Sequence, residues 1–219
     1  MADNYLEQRM EDMRSGKLHK TTISSASLQN KKTCHFSFPE RKVLILGDYS
    51  EMMISVIRAF QKTGSKVAVM MPDLLNGKKI ASEEGVRFYP VEINDVECGE
   101  HSLTNLLTSW RNVDIIISCL SAYDSIMPAI ISTWITHKNN FPYNSAYGGR
   151  LIIIGNSTAS LSTTEEKELG NLGITVNSIK ISSFPLRPDS LPVVGRLCLI
   201  VSLPDSSFIN HLEITHPFL

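Results

Sequence analysis

Apolar residues along the chain fall into short unbroken runs, separated by longer stretches in which they recur every three or four positions. A run such as Val43-Leu-Ile-Leu46 suits a strand covered on both faces, whereas Val56, Ile57, Ala59 and Phe60 line one side of a helix. On this pattern strands are expected at 42–47, 66–71, 86–91, 113–118, 150–155, 174–181 and 211–215. Helices are expected at 51–62, 74–84, 102–110, 123–137, 163–170 and 191–202. Leu103, Leu106, Leu107 and Trp110 make the stripe of the third helix, and Ile126, Ile130, Ile131 and Trp134 that of the fourth. Ser162 with Glu165 is a capping box for a helix of about two turns. Strand and helix alternate throughout, which predicts an α/β fold: a three-layer α-β-α, doubly wound, mostly parallel seven-stranded sheet. Lys138–Gly149, rich in Asn, Pro, Tyr and Gly, is expected to be an exposed loop.

Residues 1–40 differ from the rest, with a charged segment followed by a polar Thr/Ser/Asn/Lys stretch. Leu6, Met10 and Met13 recur at helical spacing there, so this arm is expected to hold a short amphipathic helix that docks on something, and residues 41–219 to form the main domain. A length of 219 residues fits one well-buried domain with an added arm. A formal charge of −1 provides no field to recruit nucleic acid or an anionic membrane, and neither partner is expected. Cys34, Cys98, Cys119 and Cys198 are too scattered for a zinc site or redox dithiol and are expected to be buried thiols. The acidic N-terminus lacks the pattern of a signal peptide, and no apolar stretch approaches membrane-spanning length, so a cytoplasmic location is expected.

Chemistry is concentrated in Lys42-Val-Leu-Ile-Leu-Gly-Asp-Tyr-Ser-Glu-Met-Met53, a strand, a turn and the start of a helix. Such a turn binds pyrophosphate when glycines let the backbone approach and the helix N-terminus offers its N–H groups. Only Gly47 remains here. Further on come Gly85-Val-Arg-Phe-Tyr-Pro-Val-Glu-Ile-Asn-Asp95, Val113-Asp-Ile-Ile-Ile-Ser-Cys-Leu-Ser121, Gly149-Arg-Leu-Ile-Ile-Ile-Gly-Asn156 and Gly173-Ile-Thr-Val-Asn-Ser-Ile179. In this order the segments resemble the short-chain dehydrogenase/reductase family, from about Arg41 to the C-terminus. The resemblance implies a Rossmann-like domain and, in active members, a nicotinamide cofactor.

Set against the family's motifs, most of the functional positions have changed. The second and third glycines of TGxxxGxG align with Glu51 and Met53, a carboxylate and a bulky side chain where backbone must meet phosphate. Met71 stands where a ribose-binding acid belongs, with Asp73 nearby. Glu92, followed by Asp95, aligns with the acid that meets the adenine. The Asn-Asn-Ala-Gly after strand four becomes Ser118-Cys-Leu-Ser121. The catalytic Tyr-x-x-x-Lys is found nowhere, the catalytic serine aligns with Asn156 or Ser157, and the helix that would carry the pair is confined between Thr158 and Leu172. The residues left to contact a dinucleotide are Gly47, Asp48, Tyr49, Ser50, Glu92 and Ser118; no catalytic or metal-binding set is assigned.

Two functions follow from the resemblance. The first is a non-catalytic protein, a pseudoenzyme without cofactor, serving as structural or regulatory subunit in a homo- or hetero-oligomer, with an active relative of the family as one candidate partner. The alternative is a divergent NAD(P)-dependent oxidoreductase or nucleotide sensor, for which Tyr123, Tyr143, Tyr147 and His137 are the acids expected near the cleft mouth. Because the family's usual subunit helices are short here, Ile130, Ile131 and Trp134, with the N-terminal helix, are candidates for apolar surface in need of cover, the alternative being that these side chains only meet the sheet. A serine hydrolase has no support, since Gly-x-Ser-x-Gly is absent.

Overall fold

The seven apolar runs pair into one sheet in the order β3-β2-β1-β4-β5-β6-β7, and every pairing is parallel. In chain order the elements are β1 (Lys42–Gly47), α1 (Glu51–Gln61), β2 (Lys66–Met71), α2 (Leu74–Glu84), β3 (Arg87–Pro90), α3 (Val96–Trp110) and β4 (Ile115–Cys119). There follow α4 (Met127–Asn140), β5 (Gly149–Gly155), α5 (Thr163–Asn171), β6 (Ile174–Ile181), α6 (Leu191–Val201) and β7 (Glu213–His216). This computed structural model describes residues 38–92, 94–119, 126–141, 148–155, 161–181, 188–203 and 213–216. The chain divides into Met1–Ser37 and Phe38–Leu219, and the described residues all belong to the second unit. The helix expected around Leu6, Met10 and Met13 lies outside them.

Alternate strand residues enter opposite cores, as a pleated sheet covered on both faces requires. Leu44, Leu46, Ile116, Leu151 and Ile153 pack beneath α3, α4 and α5, and Val43, Ile45, Ile115, Ile117 and Ile152 beneath α1 and α6. Trp134, Ile130 and Ile131 are fully enclosed in the first core. Of the two readings of these side chains, surface in need of cover or contact with the sheet, the second holds, because the helical stripe that bears them faces inward.

Several boundaries differ from the pattern-based expectation, and three of them show what sets the ends of an element. Helix α3 begins six residues early, at Val96, because the Asp95 carboxylate accepts the Cys98 N–H (2.9 Å) as an N-cap. Gly99 breaks the apolar stripe there, yet a Cβ on it would lie 2.6 Å from Ile126 Cδ1, so the helix needs glycine for close packing. Helix α4 runs on to Asn140, through residues expected in the loop. Its end is anchored by Lys138, whose Nζ donates to the Gly148 carbonyl (2.6 Å) and to Asn112 Oδ1 (3.4 Å) and lies 5.2 Å from the Trp134 ring centroid. Strand β4 starts at Ile115, two residues later than expected, although the Asp114 backbone already bonds Lys42 and Arg150. The Val113 carbonyl accepts the Trp134 indole N–H (2.9 Å), and the Asp114 carboxylate accepts the Lys42 backbone N–H (2.9 Å).

Candidate functional site

A doubly wound sheet opens a crevice where neighbouring strands send their connections to opposite sides, at the carboxyl ends of the strands. Here that point lies between β1 and β4, where Leu46 pairs with Ser118 and Gly47 with Cys119. The turn at Asp48 and Tyr49 leads directly into α1, so the local geometry brings Gly47, Asp48, Tyr49 and Ser50 together at the crevice.

Within this turn the Met53 N–H, one of the groups that face an anion in a dinucleotide site, has another partner. Ser50, in extended conformation, is the N-cap of α1, and its Oγ accepts the Met53 N–H at 3.2 Å. Glu51 sits exposed in the first helical turn, where its charge complements the helix dipole from within the chain. Met53 is fully buried. A Cβ placed on Gly47 would come within 2.9 Å of Met53 Cε and of Cys119 Cβ, so the surviving glycine is required by packing between β1, β4 and α1. Tyr49 lies half-buried against the core beneath α1 and α6, with the Lys79 ammonium 5.6 Å from its ring centroid.

The remaining sequence candidates are dispersed. Met71 ends β2 fully buried, and the nearby Asp73 is the N-cap of α2. Its Oδ1 accepts the Leu75 and Asn76 N–H groups (2.9 and 3.0 Å) and its Oδ2 the Asn76 side-chain amide (2.6 Å). These bonds, those from Asn76 foremost, hold the carboxyl below its ordinary pKa. Glu92 is exposed beyond β3, two strands from β1, and its carbonyl accepts the Asp95 N–H. Ser118 is fully buried and, by strand alternation, faces the α3–α4 layer, away from α1; its Oγ has no hydrogen-bond partner.

Cys119 is partly exposed as a residue, yet burial of its side chain pushes the thiol up to about 12, and burial likewise raises Cys198. Both remain protonated and unreactive at neutral pH. Cys98 is also only partly buried, which departs from the expectation of uniformly buried thiols. His137, expected near the cleft mouth, lies near the end of α4 beside the anchor of Lys138 at the start of β5, at the amino ends of the strands and so at the opposite end of the sheet from the crevice. Burial and then the Lys138 charge lower its pKa. Tyr123, Tyr143, Tyr147, Ser121, Asn156 and Ser157 lie outside the described residues. Helix α5 has nine residues, and its capping box is formed as expected: Ser162 Oγ accepts the Glu165 N–H (3.2 Å) and Glu165 Oε2 the Ser162 N–H (2.8 Å). Sequence reasoning missed the filling of the turn by Ser50 and Met53. The Ser-x-x-Met spacing shows the cap in outline, but not the inward course of the methionine.

No protein-family model and no curated protein matches the chain by sequence. Solved structures do match its fold. A short-chain dehydrogenase/reductase from Serratia marcescens is similar at 12% identity and a TM-score of 0.58, over 83% of this chain and 98% of that one. A hydroxysteroid dehydrogenase from Escherichia coli is similar at 12% identity and a TM-score of 0.61, over 80% and 94%. The chain therefore has the Rossmann-like fold of the short-chain dehydrogenase/reductases. Among the described residues no helix is long and apolar enough to cross a membrane, and no cluster of three His, Cys, Asp or Glu residues is placed to hold a metal.

Proposed function

We propose that the protein is a non-catalytic, short-chain dehydrogenase/reductase-like pseudoenzyme of the cytoplasm that serves as a structural or regulatory subunit for a partner. One observation carries this reading. The turn that would cradle a pyrophosphate is filled by its own chain, with the Met53 N–H bonded to Ser50 Oγ and the Met53 side chain lodged against Gly47. A dinucleotide would have to displace the serine cap, expel a buried methionine and lie beside the Glu51 carboxylate, so the residues present do not fit it. The missing Tyr-x-x-x-Lys and the nine-residue α5 agree with this reading.

Titration of the purified protein with NADH and with NADPH, followed by nucleotide fluorescence and by melting temperature, tests it. No saturable response is expected. Saturation at micromolar nucleotide would refute the proposal and support a divergent NAD(P)-dependent oxidoreductase or nucleotide sensor. That second reading is favoured by the buried Ser118 hydroxyl, which lacks a partner at the crevice end of β4. An orphaned buried hydroxyl costs about 1–3 kcal/mol and is a group that a ligand or water satisfies.

A further inference from the structure

The near-neutral charge of the chain conceals an uneven distribution over the two helical layers. Helices α3, α4 and α5 carry Glu97, Glu100, Glu165, Glu166 and Glu168 against Lys138 and Lys167, and Lys138 is buried. Helices α1, α2 and α6 carry Glu51, Glu83 and Glu84 against Arg58, Lys78, Lys79 and Arg196. A surface groove runs between α3, α4 and α5. Ala129 and Ile135 of α4, with Leu161 before α5, give it an apolar floor. Glu100 of α3 and Glu165 and Glu168 of α5 stand on its rim, and among the described residues no Lys or Arg lines it. The Glu165 carboxylate accepts the Ser162 N–H and hydroxyl (2.8 and 2.6 Å), which fixes its position while leaving its charge in place.

We propose that this groove docks a segment of a different protein that presents apolar side chains flanked by lysine or arginine. The inference rests on the reading of the chain as a partner subunit and supplies the chemistry of that partner. Apolar side chains would cover the Ala129, Ile135 and Leu161 floor, and the flanking cations would meet the glutamate rim, which steers encounter and rejects acidic competitors. A second copy of the chain is the poorer occupant. A two-fold interface sets the same patch on both sides, so Glu100, Glu165 and Glu168 would face their own equivalents.

Two fluorescein-labelled peptides of identical leucine pattern, one with lysines and one with glutamates at the flanking positions, are titrated with the full chain and followed by anisotropy. The lysine peptide is expected to bind saturably, to weaken about tenfold or more on Glu100→Lys/Glu168→Lys, and to weaken as salt rises from about 0.05 to about 0.5 M. The glutamate peptide is expected not to bind. Glu83→Lys/Asp189→Lys makes the same change of net charge at exposed positions of α2 and just before α6, and is expected to leave binding unchanged. Circular dichroism melting checks that each variant is folded, and Glu100→Gln/Glu168→Gln replaces the lysine variant if that one is not. Equal binding of both peptides, equal loss in the Glu83/Asp189 variant, or self-association abolished by the groove variant would each overturn the proposal. NADH titration of the same proteins separates the two claims. A micromolar nucleotide response with groove-dependent peptide binding refutes only the non-catalytic reading, and lost peptide specificity without a nucleotide response refutes only the groove.

Discussion

Replacing Lys138 by Met keeps most of the side-chain volume and removes a buried ammonium, and the consequence should depend on pH in a definite direction. Burial lowers the Lys138 pKa from its ordinary 10.5 to about 8, against a smaller opposing pull from Asp114. The unfolded chain thus keeps this proton up to about pH 10.5, while the folded chain releases it near 8. Between those values the unfolded state binds more protons, so this group raises stability as pH rises and withdraws that contribution as pH falls through 8. The fall in pKa corresponds to about 3 kcal/mol, an upper bound for the whole window. Cys119 works in the opposite sense. Its thiol is held up to about 12, so it costs stability as pH rises above its ordinary value of 9.0, which obscures the trend in the wild type alone. The informative quantity is therefore the gap between wild type and Lys138→Met, measured by urea unfolding from about pH 7 to about pH 10.5. Loss of the bond to the Gly148 carbonyl adds a constant cost of about 1–3 kcal/mol to the variant. On top of it, the advantage of the wild type should be flat below about pH 8 and grow by up to about 3 kcal/mol above it. A gap that stays within about 0.5 kcal/mol over the whole range would refute a desolvated ammonium at this site.

Two helical glycines should respond oppositely to alanine in urea unfolding. Gly195→Ala places a Cβ 2.8 Å from Ala59 Cβ and 3.1 Å from the Ser55 carbonyl, forcing α1 and α6 apart at a cost of roughly 1–3 kcal/mol. Gly170→Ala meets nothing within 4 Å and should stabilise by roughly 0.5–1 kcal/mol. In timed thiol labelling read by mass spectrometry at neutral pH, Cys98 should react before Cys119 and Cys198. These two should label only as the protein unfolds, and rapid labelling of Cys119 in the native state would contradict its burial.

Most of the architecture was legible because burial on both faces leaves a one-dimensional trace. Unbroken runs such as Val43–Leu46 can be satisfied only inside a covered parallel sheet, and the helices between them show their buried stripes. Of the boundaries that slipped, the start of α3 combines a local cap at Asp95 with the close contact of Gly99 and Ile126, and the end of α4 follows the bond from Lys138 to Gly148. Of the site, the missing motifs were visible as letters. Their physical meaning was not, since Gly47 stands equally well for a phosphate approach or for a tight contact with Met53 and Cys119, and only the packed structure distinguishes the two.

The sequence by itself determined the order of strands and helices, the capping box at Ser162 and the absence of the Tyr-x-x-x-Lys pair, because these depend on local periodicity and on which residues are present. Tertiary structure alone decided that Ile130, Ile131 and Trp134 are core, that Ser118 turns away from α1, that His137 lies at the end of the sheet opposite the crevice and that three glutamates gather around one groove. Each of these turns on which side chains the crossovers bring together, and spacing along the chain carries no record of that.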